Sequence, residues 1–118
     1  MILVDTSIWI NHFKKTNSEL NHLLQQNHVL LHPFVIGELA CGLLPQRSKT
    51  LSDLSYLPKS ILAQHQEVLF FLEEHSFYAQ GIGFIDIHLL TSASLSQAYL
   101  WTLDKNLSKL AKKLQISY

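Results

Sequence analysis

Apolar residues along this chain follow two kinds of pattern. Residues 2–4, 28–32 and 98–103 are short, largely apolar runs, which are typical of strands buried on both faces of a parallel sheet. Residues 116–118 predict a fourth, closing strand. In the segments between these runs, apolar residues recur every three or four positions, which is the spacing of one face of a helix.

Polar capping residues and prolines set the ends of the predicted helices. The first helix begins at residue 8, after the capping side chains of residues 5–7. Further helices are predicted over residues 17–26, 34–44, 46–55, 59–76, 84–96 and 104–113. Strands that alternate with helices predict an α/β fold, a three-layer α/β/α sandwich around a central parallel sheet, formed by a single domain of residues 1–118.

Composition limits the classes of function. Hydrophobic residues make up 47% and charged residues 15% of the 118 residues, which favours a packed globular domain over a disordered chain. Nine basic residues balance nine acidic ones, so the formal net charge is zero. A protein that holds nucleic acid by overall charge normally has a basic surface. Any role with nucleic acid must therefore depend on a local site.

The single cysteine and the N-terminal residues bear on the compartment. Cys41 has no partner for an intramolecular disulfide, and its apolar neighbours predict a buried thiol in a reducing, cytoplasmic protein. The apolar run before Asp5 is short and has no basic segment ahead of it, so neither a signal peptide nor a membrane span is expected there. No later stretch reaches the length of about 18 apolar residues that a span requires.

The nine acidic residues divide into two groups. Five have polar neighbours on predicted helices and are interpreted as solvated: Glu19, Asp53, Glu67, Glu73 and Glu74. Asp5 and Asp104 each follow a predicted strand, so both are expected at the carboxyl edge of one sheet, where ligands of α/β proteins bind. Glu38 and Asp86 lie in otherwise apolar segments.

These four acids, which we call the acidic quartet, predict a metal site. An unpaired buried carboxylate costs several kcal/mol, and only Asp104 has a lysine or arginine within three residues. A hard divalent cation, Mg²⁺ or Mn²⁺, would relieve their repulsion through oxygen ligands. The alternatives are that Asp5 and Asp104 cap the helices that follow them, and that Glu38 lies on an exposed helix face.

Four segments in order resemble one family. Residues 4–10 (Val-Asp-Thr-Ser-Ile-Trp-Ile), 33–39, 81–90 and 100–105 resemble the PIN-domain toxins of the VapC type. The resemblance extends over the whole chain and implies a PIN-like fold. It also implies an endoribonuclease of a type II toxin–antitoxin system that leaves 5′-phosphate ends, is neutralised by a cognate VapB antitoxin, and forms a homodimer.

The resemblance also assigns roles to residues. It places the catalytic acids, which would hold one or two Mg²⁺ ions, at Asp5, Glu38, Asp86 and Asp104. It gives Thr6 a supporting role beside the first acid. Thr102 lies two residues before Asp104 on the same predicted strand, so it should face the same side and brace the site. Asn11 stands where many relatives carry an acid, so any peripheral carboxylate there is missing.

Contacts with RNA have weaker support from the sequence. Lys105, Lys109 and Lys113 repeat every four residues and form a basic helix edge with Lys112, which is either a solvated face or a guide for phosphates. His88 is a further candidate for contact with RNA or metal, although a core histidine is the simpler interpretation. Trp9 is interpreted as a core residue.

The segment from residue 57 to 72 has more long apolar side chains than one helix face needs. Most should enter the core, and the excess is either a dimer face or an antitoxin groove. A catalytically silent PIN-like binding domain is the alternative function. An aspartyl-phosphate phosphatase is disfavoured because Ser7 replaces the second aspartate, and a dinucleotide site because the Gly81–Gly83 pair lacks a third glycine.

Overall fold

A computed structural model describes residues 1–118 as three parallel strands and seven helices. The strands are β1 (Ile2–Val4), β2 (Val29–Leu30) and β3 (Tyr99–Trp101), in the order β2-β1-β3. Ile2 lies opposite both Val29 and Tyr99. The predicted fourth strand is reduced to one parallel bridge between Leu100 and Ser117.

The helices alternate with these strands, so the predicted α/β fold with a central parallel sheet is confirmed. Their bounds are α1 (Thr6–Lys14), α2 (Ser18–Gln25), α3 (Pro33–Ala40), α4 (Arg47–Ser55), α5 (His65–His75), α6 (Phe84–Leu95) and α7 (Lys105–Lys113). None of them combines the length and apolar character needed to cross a bilayer.

The core lies on both faces of the sheet because the side chains of β1 alternate. Leu3 packs with the apolar faces of α5, α6 and α7. Ile2 and Val4 pack on the other face, with residues of α1 to α4. Helix α6 contributes to both clusters, through Leu90 and Leu89 respectively. Trp9 is a core residue, as predicted.

One helix begins later than its pattern predicts. Residues 59–64 are not helical, and Lys59 forms a parallel bridge with Leu31 at the end of β2. The N–H of Leu31 donates to the carbonyl of Pro58, and the N–H of Ser60 donates to the carbonyl of Leu31. Helix α5 begins only at His65, where the carboxylate of Glu67 accepts a hydrogen bond of 2.8 Å from the N–H of Gln64.

Another helix ends earlier than predicted. Helix α3 stops at Ala40 rather than Leu44, and the guanidinium of Arg47 donates to the carbonyls of Ala40 (2.6 Å) and Gly42 (3.2 Å). These bonds satisfy carbonyls that the end of a helix leaves unpaired. Cys41 is consequently an exposed thiol. The prediction that it is buried was wrong, because its apolar neighbours belong to a helix end at the surface.

Candidate active site

Asp5 directly follows β1 and is only 6% exposed. Its Oδ2 atom accepts hydrogen bonds from Thr102 Oγ1 (2.7 Å) and Ser7 Oγ (2.8 Å). Although Asp5 precedes α1, its side chain makes no capping hydrogen bond. The capping alternative is therefore excluded for Asp5, and its second oxygen is available to a ligand.

The two hydroxyl groups that hold Asp5 are themselves fixed by the loop between β3 and α7. Thr102 Oγ1 accepts a hydrogen bond from the N–H of Asp104 (3.0 Å). Ser7 Oγ accepts one from the N–H of Leu103 (3.1 Å). The ends of β1 and β3, 97 residues apart in sequence, are thereby joined through one carboxylate. The hydroxyl of Thr102 thus lies where its predicted bracing role requires it, whereas the structural role of Ser7 was not predicted.

Glu38 and Asp104 differ from Asp5 in being exposed. Glu38 lies on the outer face of α3 and accepts a hydrogen bond from Thr6 Oγ1 (2.8 Å). Thr6 thus supports the site by holding Glu38 rather than Asp5. Asp104 caps α7, since its Oδ1 accepts from the N–H of Leu107 (2.9 Å). The alternatives stated for these residues, an exposed helix face for Glu38 and a helix cap for Asp104, therefore describe their local structure correctly. Both residues still have a carboxylate oxygen that is free.

Asp86 provides the electrostatic link among the four acids. It lies in the first turn of α6 and is partly buried. Burial, followed by the negative charges of Asp5, Asp104 and Glu38, raises its pKa from 3.8 to about 6. A carboxylate responds in this way to like charges only when they are nearby. The fold therefore brings the four predicted acids into one region at the carboxyl edge of the sheet.

The side chains present fit a hard divalent cation in their chemistry. Every candidate donor is a carboxylate or hydroxyl oxygen, the ligand type that Mg²⁺ and Mn²⁺ prefer. No three acidic, histidine or cysteine side chains lie close enough together to form a preassembled ligand group. Binding would thus require some carboxylates to rotate inward.

Comparison with known proteins identifies the family of this chain. A scan against models of protein families gave no match. Among curated proteins, ribonuclease VapC32 of Mycobacterium tuberculosis strains CDC 1551 / Oshkosh and ATCC 25618 / H37Rv is 41% identical over 108 residues, covering 91% of this chain and 87% of the relative. The chain belongs to the VapC family.

The predicted RNA contacts of this VapC-family chain differ sharply in accessibility. His88 is 5% exposed and packs against Phe34 and Phe84, with ring centroids 4.5 and 5.9 Å away. Its position does not fit the expected contact with RNA, because the neighbouring rings cover it. In contrast, Lys105 and Lys109 are exposed on α7, as is Lys113 at its end.

The hydroxyl of Thr102 gives a direct test of how the VapC-family site is held. Thr102→Val should lower the free energy of unfolding by about 1–2 kcal/mol, because it leaves Asp5 with one donor and the N–H of Asp104 without an acceptor. Thr102→Ser keeps the hydroxyl and should retain most of this stability. Urea denaturation measures both, and equal stabilities of the two variants would contradict the hydrogen-bonding role.

Proposed function

We propose that this VapC-family chain is a metal-dependent endoribonuclease, the toxin of a VapBC-type pair, that uses one or two Mg²⁺ or Mn²⁺ ions in the cytoplasm. The observation that carries the proposal is the position of the acidic quartet in a chain of the VapC family: Asp5 and Asp104 follow β1 and β3 at one edge of the sheet. Burial, and then the negative charges of Asp5, Asp104 and Glu38, raise the pKa of Asp86 beside them. Such a cluster is unfavourable for stability. A cation that binds the substrate phosphate offsets that cost.

The side chains of the quartet have distinct parts in this proposal. Hydrogen bonds fix the orientations of Asp5 and Glu38. Asp104 is fixed through one oxygen as a helix cap. A divalent cation in such a site polarises the scissile phosphate and lowers the pKa of bound water. These three acids would supply oxygen donors, and Asp86 would complete the set from α6 once the carboxylates that stand apart have rotated inward.

A cleavage assay tests the function. The purified chain should cut single-stranded RNA in Mg²⁺, leave 5′-phosphate ends, and lose this activity in excess EDTA. Sequencing of the ends after brief expression in a bacterium would identify the target at the same time. A chain that binds RNA or antitoxin but shows no metal-dependent cleavage would instead be a silent binding domain.

We place the proposed VapB-type antitoxin in an apolar groove beside the acidic quartet. The groove has a volume of about 620 Å³ and is lined by Glu38, by Lys14, and by apolar residues of α1, α3 and the segment after α3. Leu43 in this groove is fully exposed. An apolar segment of a VapB-type partner placed here would cover Leu43 and lie next to Glu38, which explains how a partner could block the site.

We place the interface of the proposed homodimer on the segment from residue 57 to 72. This segment has eight long apolar side chains: Leu57, Ile61, Leu62, Val68, Leu69, Phe70, Phe71 and Leu72. Four of them, Ile61, Leu62, Leu69 and Phe70, are exposed at 39–67%. The other four are buried or half-buried, and two of these, Val68 and Phe71, are in the core. Exposed apolar side chains in such an excess are typical of an interface between proteins when they form one patch.

Phe70→Glu should convert the proposed dimer to a monomer, because a charge would be buried in the interface. Sedimentation velocity measures the change. Leu43→Glu is the matched control, since it places the same charge on another exposed apolar residue and should leave the dimer intact. A dimer that survives Phe70→Glu would show that subunits meet through another face.

A further inference from the structure

Helix α7 carries a lysine cluster that the rest of the molecule does not neutralise. Four of the nine basic residues of the chain are here, at Lys105, Lys109, Lys112 and Lys113. The chain has one ion pair, between Lys49 and Asp53 on α4, so none of the α7 lysines pairs with an acid. Although the net charge of the chain is zero, α7 therefore forms a local cationic surface.

These lysines line one feature, which we call the α7 groove. Its volume is about 610 Å³, and the four lysines together with Thr102, Leu103 and Ser108 form its walls. No acidic residue lines it. Thr102 belongs both to the groove and to the site, because its hydroxyl donates to Asp5. The cationic groove thus begins at the acidic quartet.

The positions of the four lysines cannot be explained by the stability of α7 alone. Lys112 and Lys113 lie in the last turn, where the helix dipole favours cations. Lys105 lies in the first turn, where the dipole disfavours one. Lys105 with Lys109, and Lys109 with Lys113, are also like charges four residues apart, and such pairs destabilise a helix. A polyanionic ligand would turn these unfavourable charges into favourable contacts.

We propose that the α7 groove binds the sugar-phosphate backbone of a short single-stranded RNA segment on one side of the scissile phosphate. This inference rests on the proposed ribonuclease function. Lys105 to Lys113 extend about 12 Å along the helix axis, so the groove is long enough to bind successive phosphates. Lysines bind phosphates as point charges and do not read bases.

The composition of the groove also predicts what it does not do. Its one hydrophobic lining residue is Leu103, and no aromatic side chain lines it. Stacking of bases on aromatic rings is therefore absent from this part of the surface. The α7 groove should raise affinity equally for RNAs of different sequence, and selection of a target sequence must come from other residues.

The test is the affinity of a fluorescent single-stranded oligoribonucleotide in EDTA, measured by anisotropy at several salt concentrations. EDTA separates binding from cleavage. The double variant Lys109→Gln/Lys113→Gln should bind about tenfold more weakly, and the slope of log affinity against log salt should fall by about 0.7 for each phosphate that the variant no longer neutralises. Lys49→Gln/Lys59→Gln removes the same charge elsewhere and should change neither quantity.

The outcomes separate this inference from the proposed function. If both double variants bind RNA equally weakly, or neither is weakened, the α7 groove is not the RNA path, even when the chain cleaves RNA in Mg²⁺. If the α7 variant is weakened only in its affinity for an acidic protein partner, the groove is a protein site and the inference is overturned. If RNA binding depends on α7 but no cleavage occurs in Mg²⁺, the inference stands and the ribonuclease function fails.

Discussion

Asp86→Asn should abolish RNA cleavage and, in the absence of divalent cations, make the protein more stable. The pKa of Asp86 is raised from 3.8 to about 6 by burial and by the charges of Asp5, Asp104 and Glu38. Between these two values the folded state binds more protons than the unfolded state, so the contribution of Asp86 to stability is lost as pH rises through about 6. At pH 7 the ionised carboxylate is a net cost.

An uncharged amide of the same shape removes that cost. After allowance for partial exposure, we expect a gain of about 1–2 kcal/mol in the free energy of unfolding at pH 7 in EDTA. The difference from the unsubstituted chain should vanish below about pH 4, where both side chains are neutral. Thermal unfolding in EDTA at pH 7 and at about pH 3.5 measures both quantities.

Magnesium should reverse the order of stability. A ligand that binds only the folded state raises its stability in proportion to the logarithm of its concentration above Kd. Mg²⁺ should therefore raise the Tm of the unsubstituted chain and have little effect on Asp86→Asn. The cleavage rate of the variant should fall more than about a hundredfold, because removal even of residues that only support metal ligands costs about 10–100-fold.

Glu73→Gln is the matched control, since Glu73 is an exposed carboxylate on α5. It should cleave RNA at the unsubstituted rate and respond normally to Mg²⁺. An Asp86→Asn variant that retained full cleavage would remove Asp86 from the mechanism. If Asp86→Asn were less stable than the unsubstituted chain in EDTA, that result would contradict the electrostatic description of the quartet.

The position of the site could be predicted from the sequence where it depends on topology. Asp5 and Asp104 follow apolar runs that become parallel strands, and the carboxyl ends of parallel strands meet at one edge. Glu38 illustrates the opposite case. Its apolar neighbours predicted burial, but it faces outward on α3, because neighbours in sequence point in different directions around a helix. The apolar context that first placed Glu38 in the quartet was therefore misleading about its burial, and the family resemblance assigns it to the quartet independently.

Other features of the site and the fold could not be predicted from the local sequence. The hydrogen bonds of Ser7 and Thr102 to Asp5 join residues that are distant in the sequence or on different elements, and no periodicity in the sequence encodes such a pairing. Residues 59–64 have the composition of a helix, but Lys59 and Ser60 pair with Leu31 at the end of β2 instead. Tertiary hydrogen bonds can override local propensity, and here they shift the start of α5 from residue 59 to His65.

His32 is the second residue with a large expected effect, although it was predicted only as part of a strand. It is completely buried. Its Nδ1 accepts a hydrogen bond from the N–H of Phe34 at the start of α3 (3.0 Å). Nε2 therefore carries the proton and donates to Ser92 Oγ on α6 (3.0 Å). Ser92 Oγ also accepts from the N–H of Ala63 (3.1 Å).

This arrangement connects the two helices that carry Glu38 and Asp86. His32→Ala should lower the free energy of unfolding by about 3–4 kcal/mol, because it leaves a cavity and buried polar groups without partners. His32→Asn should cost less, since asparagine is a good helix cap and its side-chain oxygen can replace Nδ1. Urea denaturation at neutral pH measures the difference between the two variants, and equal losses of stability would argue against the capping role.

Protonation of His32 should have a similar effect in the unsubstituted chain. Burial, and secondarily the charge of His88, lowers the pKa of His32 from 6.5 to about 4. In this interval the unfolded state binds the proton and the folded state does not, so stability present above pH 6.5 is lost as pH falls towards about 4. The loss from this one group is at most about 3 kcal/mol.

Comparison of the unsubstituted chain with His32→Asn isolates that contribution. Asp86 binds its proton within the same pH range and changes stability in the opposite direction, and its effect is common to both proteins. The stability of the unsubstituted chain should therefore fall more steeply than that of His32→Asn between pH 6.5 and about 4. Parallel curves would mean that His32 is already protonated in the fold, which is unfavourable because its Nδ1 must accept a hydrogen bond in a buried site.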